Sequence, residues 1–252
     1  MSLMTPYWQS PCATLFKADA RSLPLEDGSV DCLIADPPFN AGKDYGDGFN
    51  DSRPLDIYYP WLADCLAEAV RVVRPGGALW VMNDTRHIGQ TQGILDNLGA
   101  NFQNMVCWLY GNPTPNTTRF PKTWRPILFY RKSGTPQTWN IQDTRLLQET
   151  LYCNFAHSNG RNLHDVWPDI PKLVGGYLAQ AEVMTKSDGS FAHVAQMPLA
   201  IAIRAILLTT NQGALVVDPF VGSGTTCVAA QRLGRRGAHE GPYLPVVILG
   251  SE

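Results

Sequence analysis

Two acid-proline segments, far apart in the chain, constrain its fold more than any other feature. Asp36-Pro37-Pro38-Phe39 follows the apolar run Val30-Asp31-Cys32-Leu33-Ile34-Ala35. Asp218-Pro219-Phe220-Val221-Gly222-Ser223-Gly224-Thr225-Thr226 follows Ala214-Leu215-Val216-Val217. Each run has the length and apolar content of a buried strand. In an open α/β sheet, chemistry gathers in the crevice beyond the carboxyl ends of the strands. Two acid-proline turns at two such ends point to one site, with a nucleotide-like cofactor beside a reactive substrate group.

The first turn offers acceptors only. Pro37 and Pro38 have fixed φ and no backbone N–H. An ionised Asp36 is also acceptor-only, and Phe39 adds a flat apolar face. This set suits a planar ring carrying –NH2, such as adenine or cytosine. Accepting both amino hydrogens draws the nitrogen lone pair out of conjugation and aims it at an electrophile. The gain comes from positioning and electrostatics rather than from a strong base. Taken alone, the segment also fits an ordinary proline-rich turn.

The second turn reads as a cofactor loop. Gly222 and Gly224 give G-x-G without the third glycine of the dinucleotide fingerprint. A helix-like run over 225–233 follows. Glu240 lies beyond Arg235 and Arg236, about twenty residues from the loop's start, where an acid would meet a ribose hydroxyl. A lone G-x-G also serves ordinary tight turns. The missing glycine argues against a pyrophosphate and for a smaller adenosine cofactor.

Together these residues resemble the amino-directed DNA methyltransferases of the β arrangement, which use S-adenosyl-L-methionine. Asp36 to Phe39 is similar to their D-P-P-[YF], and Asp218 to Thr226 to their D-P-F-x-G-S-G-T, in the matching order. The resemblance implies an S-adenosylmethionine-dependent methyltransferase (Rossmann-like) fold: α/β, with a mostly parallel sheet and a circularly permuted motif order. It implies methyl transfer to the exocyclic N6 of an adenine flipped out of double-stranded DNA. Cytosine N4 is the alternative; adenine is preferred because cytosine-directed members more often begin the motif with Ser.

The resemblance also distributes roles. Asp36 and the Pro37 carbonyl hold the amino group, Phe39 stacks on the ring, and Pro38 completes the motif. Asp218, Phe220, Gly222, Ser223, Gly224 and Thr225 shape the cofactor site, with Glu240 toward the ribose. Asp19, beside Ala20 at the end of a short strand over 13–18, is the candidate partner of the cofactor's adenine. Phe191-Ala192-His193-Val194-Ala195-Gln196-Met197-Pro198 is similar to H-P-x-Q-K-P, which closes over the methionine end. That assigns Gln196 and Pro198 to the cofactor; Val194 stands in place of Pro and Met197 in place of Lys. No metal is required.

A chain of 252 residues accommodates one α/β domain with a small insertion. The expected division is a catalytic half over 1–132, a target-recognition insertion over 133–190 and a cofactor-binding half over 191–252. The net charge of −2 gives no global pull toward nucleic acid, so DNA contact needs a local patch. Such a patch reads from 116 to 132, where Arg119, Lys122, Arg125, Arg131 and Lys132 occur without an acid, interleaved with Phe120 and Trp124. A solvated basic face would share that pattern. Residues 40–51, with Lys43 and Tyr45, read as a mobile lid over the flipped base, Lys43 reaching the DNA.

Spacing predicts helices over 57–73 and 88–98, a buried strand over 78–82, and a strand pair over 102–110 and 124–130. The first dozen residues read as a loose lead-in. The stretch after Arg236 is compressed and is expected to leave the sheet edge lightly covered. The six cysteines are scattered without C-x-x-C, which fits a reduced chain. No long apolar run or signal pattern occurs, so the expectation is a soluble cytoplasmic protein without membrane contact. A homodimer and a cognate restriction enzyme stay open. So do two other readings: a non-catalytic DNA-binding protein on a decayed scaffold, and an enzyme acting on RNA or a protein amide.

Overall fold

The structure, a computed structural model, describes residues 6–10, 13–45, 51–111, 116–135, 137–144, 162–173, 182–184, 187, 195–234 and 246–250. In chain order the elements are β1 (Trp8–Ser10), β2 (Ala13–Lys17), β3 (Val30–Ala35), α1 (Leu55–Val72), β4 (Val73–Met82), α2 (Ile88–Asn97) and β5 (Ala100–Leu109). There follow β6 (Trp124–Lys132), β7 (Val166–Trp167), α3 (Leu199–Thr209), β8 (Val216–Asp218), α4 (Thr225–Leu233) and β9 (Val246–Gly250). The described strands join one sheet in the order β1-β2-β9-β8-β3-β4-β6-β5-β7. Parallel pairing runs from β2 through β9, β8 and β3 to β4. β6 enters antiparallel between β4 and β5, and β1 pairs antiparallel with β2.

Strand periodicity assigns the two faces. Leu33, Leu79 and Leu128 pack with Leu62 and Leu66 of α1 and Leu95 of α2. Their neighbours Cys32, Trp80 and Phe129 pack with Ile201 and Ala205 of α3 and Ala230 of α4. Covering both faces is why the central strands are apolar throughout rather than alternating. Trp80 and Phe129, cross-strand partners, stack with centroids 4.3 Å apart. Among the described residues, no helix is long and apolar enough to cross a membrane.

Element boundaries follow local chemistry. α1 begins two residues before the spacing predicts, because the Pro54 carbonyl accepts the N–H groups of Ile57 and Tyr58 at 3.0 and 2.9 Å. α1 ends at Val72, ahead of the Pro75-Gly76-Gly77 expected to stop it, because the chain is already extended at Val73, where β4 starts and then runs through that segment. Gly76 takes φ 74°, and a Cβ on Gly77 would sit 2.8 Å from the Val73 side chain and 3.0 Å from the Asp31 carbonyl. Residues 8–10, read as lead-in, form the edge strand β1. The compressed tail supplies β9, an apolar strand between β2 and β8 in the interior of the sheet.

The described end of the stretch between β6 and α3 also enters the core. Trp167 and Ile170 are buried, and Trp108 Nε1 donates to the Ile170 carbonyl at 2.8 Å. Arg204 of α3 is ion-paired with Asp169 and lies 5.2 Å from the Trp167 ring centroid. This anchors residues 162–173 against α3 and β5, close to the functional end of the sheet.

The topology sets the site. From β3 the chain goes through α1 to β4 on one side; from β8 it goes through α4 to β9 on the other. β3 and β8 are therefore adjacent strands whose connections diverge, and the crevice opens beyond their carboxyl ends.

Candidate active site

Leu33 pairs with Val217, so β3 and β8 end side by side and deliver Asp36 and Asp218 to the same rim. Asp36 Oδ1 is sealed from solvent and has no hydrogen-bond partner among the described residues. Loss of solvation pushes the carboxyl from 3.8 to about 7; the Arg125 cation opposes this and the Asp218 charge adds to it. A buried acceptor without a donor is costly, and each such group in a folded protein calls for an explanation. An exocyclic amino group entering the crevice would supply the missing donor.

The turn around Asp36 is braced from below. Tyr58 Oη donates to the Pro38 carbonyl at 2.9 Å, and Asn83 Nδ2 lies 3.3 Å from Tyr58 Oη and 3.0 Å from Thr91 Oγ1. Phe39 is buried, and the Arg125 guanidinium lies over its ring at 4.4 Å. A planar group that stacks on this face of Phe39 takes the place of the guanidinium. Arg125, assigned to DNA from sequence, thus packs on the Phe39 ring, near enough for its charge to act on the Asp36 carboxyl.

The segment after Phe39 is a clasp at its base. Asp51 is 3% exposed; its carboxylate accepts the N–H groups of Asn40, Ala41 and Lys43 at 2.8, 3.1 and 2.9 Å. Its carbonyl takes the Gly42 N–H at 2.7 Å. Asn40, at φ 52°, exchanges two further bonds with the Arg53 backbone at 2.8 and 2.6 Å. The two ends of the segment 40–51, which reads as a mobile lid in sequence, are thus bonded to each other; residues 46–50 lie outside the described residues. Asp51→Ala leaves three backbone donors without their charged acceptor. The expected loss of stability is about 2–4 kcal/mol, with slower turnover because Phe39 loses its fixed exit. Urea denaturation checks this, and an unchanged midpoint would refute the clasp.

A cationic rim surrounds the acceptor. Lys172 Nζ lies 5.4 Å from the Tyr110 ring centroid; burial and then the nearby Arg125 and Lys43 cations lower its pKa. Burial also raises the Tyr45 hydroxyl, with Asp51 and Asp36 adding to it, which places Tyr45 in the same environment. Lys172 carried no signal in sequence, being an isolated base in a stretch without periodicity. Lys122 has a partner: its Nζ reaches both Asp84 oxygens at 2.6 Å. Burial raises the Asp84 carboxyl, but Lys122 and Arg86 outweigh it and bring it down to about 2. Lys122 therefore ties the 116–123 segment to the end of β4, while Arg119 is exposed.

On the cofactor side, Asp218 is a brace for its own loop. It is 3% exposed and accepts the Phe220 N–H at 2.9 Å and the Thr226 hydroxyl at 2.6 Å. Burial pushes its carboxyl up to about 6, against the pull of those two bonds. Gly222 and Gly224 adopt φ 49° and 78°, which only glycine takes without strain, and Gly224 starts α4. Ser223 and Thr225 hydroxyls lie 3.1 Å apart, and Thr225 Oγ1 donates to the Met197 carbonyl at 3.1 Å. Gln196 bonds the Glu182 carbonyl and the Met184 N–H at 2.7 and 3.1 Å, and Pro198 immediately precedes α3. The Met197 that stands where Lys was expected is buried in the core. Phe220 meets Trp61 edge-on at 6.1 Å.

Asp19 and Ala20 follow β2, and Ala20 is buried. Arg21 grips both Asp19 oxygens at 2.6–3.1 Å, and this hydrogen bonding lowers the carboxyl despite some burial. An adenine amino group would share Asp19 with that guanidinium. Glu240, Arg235, Arg236, His193 and Val194 lie outside the described residues.

The crevice, the glycine loop and the permuted order now stand together with a sequence match. Residues 30–249 match the model of the N6/N4 DNA methylase family. The chain belongs to that family. As an N6/N4 methylase it is 31% identical to the type II methyltransferase M.HpaI of Haemophilus parainfluenzae, over 84% of this chain and 64% of that one. It is 30% identical to the type II methyltransferase M.BamHI of Bacillus amyloliquefaciens, over 92% of this chain but 55% of that one. The chain thus spans somewhat over half the length of these two relatives. It is 29% identical to the DNA adenine methyltransferase YhdJ of Escherichia coli, over 87% of this chain and 73% of that one. The fold is shared with the cytosine-N4-specific PvuII DNA methyltransferase at TM-score 0.68 and 14% identity, over 98% and 84% of the two chains. It is also shared with M1.HpyAVI, solved with SAM, at TM-score 0.56 and 19% identity, over 95% and 93%.

Proposed function

We propose that the protein methylates the exocyclic N6 of an adenine flipped out of double-stranded DNA, using S-adenosyl-L-methionine. The observation that carries this reading is Asp36 Oδ1, buried without a partner among the described residues, at the end of β3 and beside the glycine loop that follows β8. When bound, the cofactor supplies an electrophilic methyl on sulfur. The protein's own residues prepare the amine. Asp36 and the Pro37 carbonyl accept the two amino hydrogens and direct the lone pair toward the cofactor loop. The Asp36 carboxylate would stabilise the positive charge that methylation places on the amino nitrogen. The amino group then loses one proton, which a carboxyl near pH 7 can hold before solvent takes it.

Phe39 and Tyr45 border the ring, Lys43 and Lys172 supply positive charge for the flanking phosphates, and Arg125, displaced from Phe39 by the incoming base, joins them. The cofactor loop from Asp218 to Thr225, with Gln196, Pro198, Asp19 and Ala20, forms the opposite wall. The choice of adenine rests on Asp36 at the head of the motif and on the likeness to a DNA adenine methyltransferase. Cytosine N4, the target named for the PvuII enzyme, is the alternative that the same geometry accommodates. The test is incubation with labelled S-adenosyl-L-methionine and unmethylated duplex DNA, with RNA and protein mixtures in parallel. Label in DNA is the expected result; label only in RNA or protein, or nowhere, would overturn the proposal.

A further inference from the structure

Phe120 is 96% exposed, which is unusual for a phenylalanine beside a functional cleft. Single exposed apolar residues are common on protein surfaces, so exposure alone says little. What sets Phe120 apart is how it is held. Before it, Asn116 Oδ1 accepts the N–H groups of Thr118 and Arg119 at 2.9 and 3.0 Å, which folds the segment into a turn. After it, Pro121 fixes the backbone, and Lys122 is clamped onto both Asp84 oxygens at 2.6 Å. The Thr123 carbonyl accepts the Tyr110 N–H at 2.8 Å. The ring is therefore presented from a pinned support.

The support stands at the rim of the site. Asp84 follows β4, which lies parallel to β3, with Ala35 opposite Val81, so Asp84 and Asp36 leave the same end of the sheet. Arg125, five residues past Phe120, lies against Phe39. Arg119 and two threonines flank the ring, and the stretch from 116 to 132 contains no acid to repel a phosphate backbone.

Removing one base from a duplex breaks its stacking on both neighbours, at a cost of about a few kcal/mol. An aromatic ring placed in the gap restores part of that stacking, and phenylalanine wedges between base steps are an established way for proteins to hold distorted DNA. Given the proposed reaction on a flipped base, on which this step rests, we propose that Phe120 enters the duplex at the position the target base vacates. Phe39 then stacks on the extruded base while Phe120 fills the gap left in the helix.

The test compares Phe120→Ala, Phe120→Leu and Phe120→Trp on duplex DNA and on the same DNA heat-denatured. Stacking of about 1–3 kcal/mol predicts a loss of about 5- to 150-fold in duplex methylation for Phe120→Ala. Phe120→Trp should retain most of the activity and Phe120→Leu should fall between them. On single strands, where no gap needs filling, the wild type and Phe120→Ala should differ by less than about twofold, and the duplex order alone decides if single strands are not methylated. Equal losses on both substrates, or Leu matching Trp on duplex, would overturn the wedge. A wild-type protein that labels neither DNA would instead overturn the reaction it rests on.

Discussion

Asp36→Ala is expected to reduce methyl transfer by about 1,000-fold while leaving cofactor affinity nearly unchanged, the size of effect seen when a preorganised charge-stabilising group is removed. In the proposed reaction the carboxylate accepts from the substrate amino group, and its Oδ1 has no partner among the described residues. Asp36→Asn retains one acceptor oxygen without the charge, and an intermediate loss of about 10- to 100-fold follows. The pH dependence is the sharper readout. The ionised form accepts the amino hydrogens, and the carboxyl titrates at about 7. Turnover should therefore rise through about pH 7 in the wild type, and this limb should vanish in Asp36→Asn.

The same shift has a stability consequence. The folded-state value lies above the ordinary 3.8, so the folded protein binds more protons than the unfolded chain between those limits. Stability conferred on the protonated form is present at low pH and declines as pH rises toward 7. Asp218, raised to about 6, contributes in the same direction over a narrower window. Asp36→Asn should therefore gain stability relative to the wild type as pH increases through that window.

Asp218→Ala is expected to weaken S-adenosyl-L-methionine binding by about 30- to 1,000-fold, the consequence of losing about 2–4 kcal/mol of charged hydrogen bonds that shape the loop. Asp218 holds both ends of the glycine turn, through the Phe220 N–H and the Thr226 hydroxyl. Without it, the turn around Gly222 and Gly224 keeps its Gly224 N–H bond to the Val221 carbonyl but loses the side-chain bonds that span it, and the loop samples more alternatives. Thr226→Val removes one of the two bonds and should weaken binding by a smaller factor. Calorimetric titration distinguishes the outcomes: wild-type affinity in Asp218→Ala would mean that the loop is held by other contacts.

The parts of this site that were legible in sequence are those whose geometry is carried by adjacent residues. Two prolines after an acid, or two glycines before a helix, fix backbone shape within four or five positions. Apolar runs likewise announced β3, β4 and β8, since strands buried on both faces need no partner to be recognised. The unread parts depend on residues that meet only after folding. Asp51 reaches back eleven residues to Asn40, and Tyr58 reaches back twenty to the Pro38 carbonyl. Lys172 comes from a stretch with no periodicity to the mouth of a site built by β3 and β6. Lys122 reads as a DNA contact by composition, because nothing local reveals that Asp84, 38 residues earlier, is its partner.

β9 is hard to read for a related reason. Its five residues take their place by pairing with β2 on one side and β8 on the other, far away in sequence from β2. β1 is shorter still and gains its pairing from β2 alone.

The central claim is that Asp36 presents a base's exocyclic amino group to a methyl donor. The most direct measurement is nucleoside analysis of unmethylated duplex DNA after incubation with S-adenosyl-L-methionine and either the wild type or Asp36→Ala. The account predicts N6-methyladenine with the wild type and none with the variant. Methylation at a ring carbon, or equal amounts of methylated base from both proteins, would contradict it.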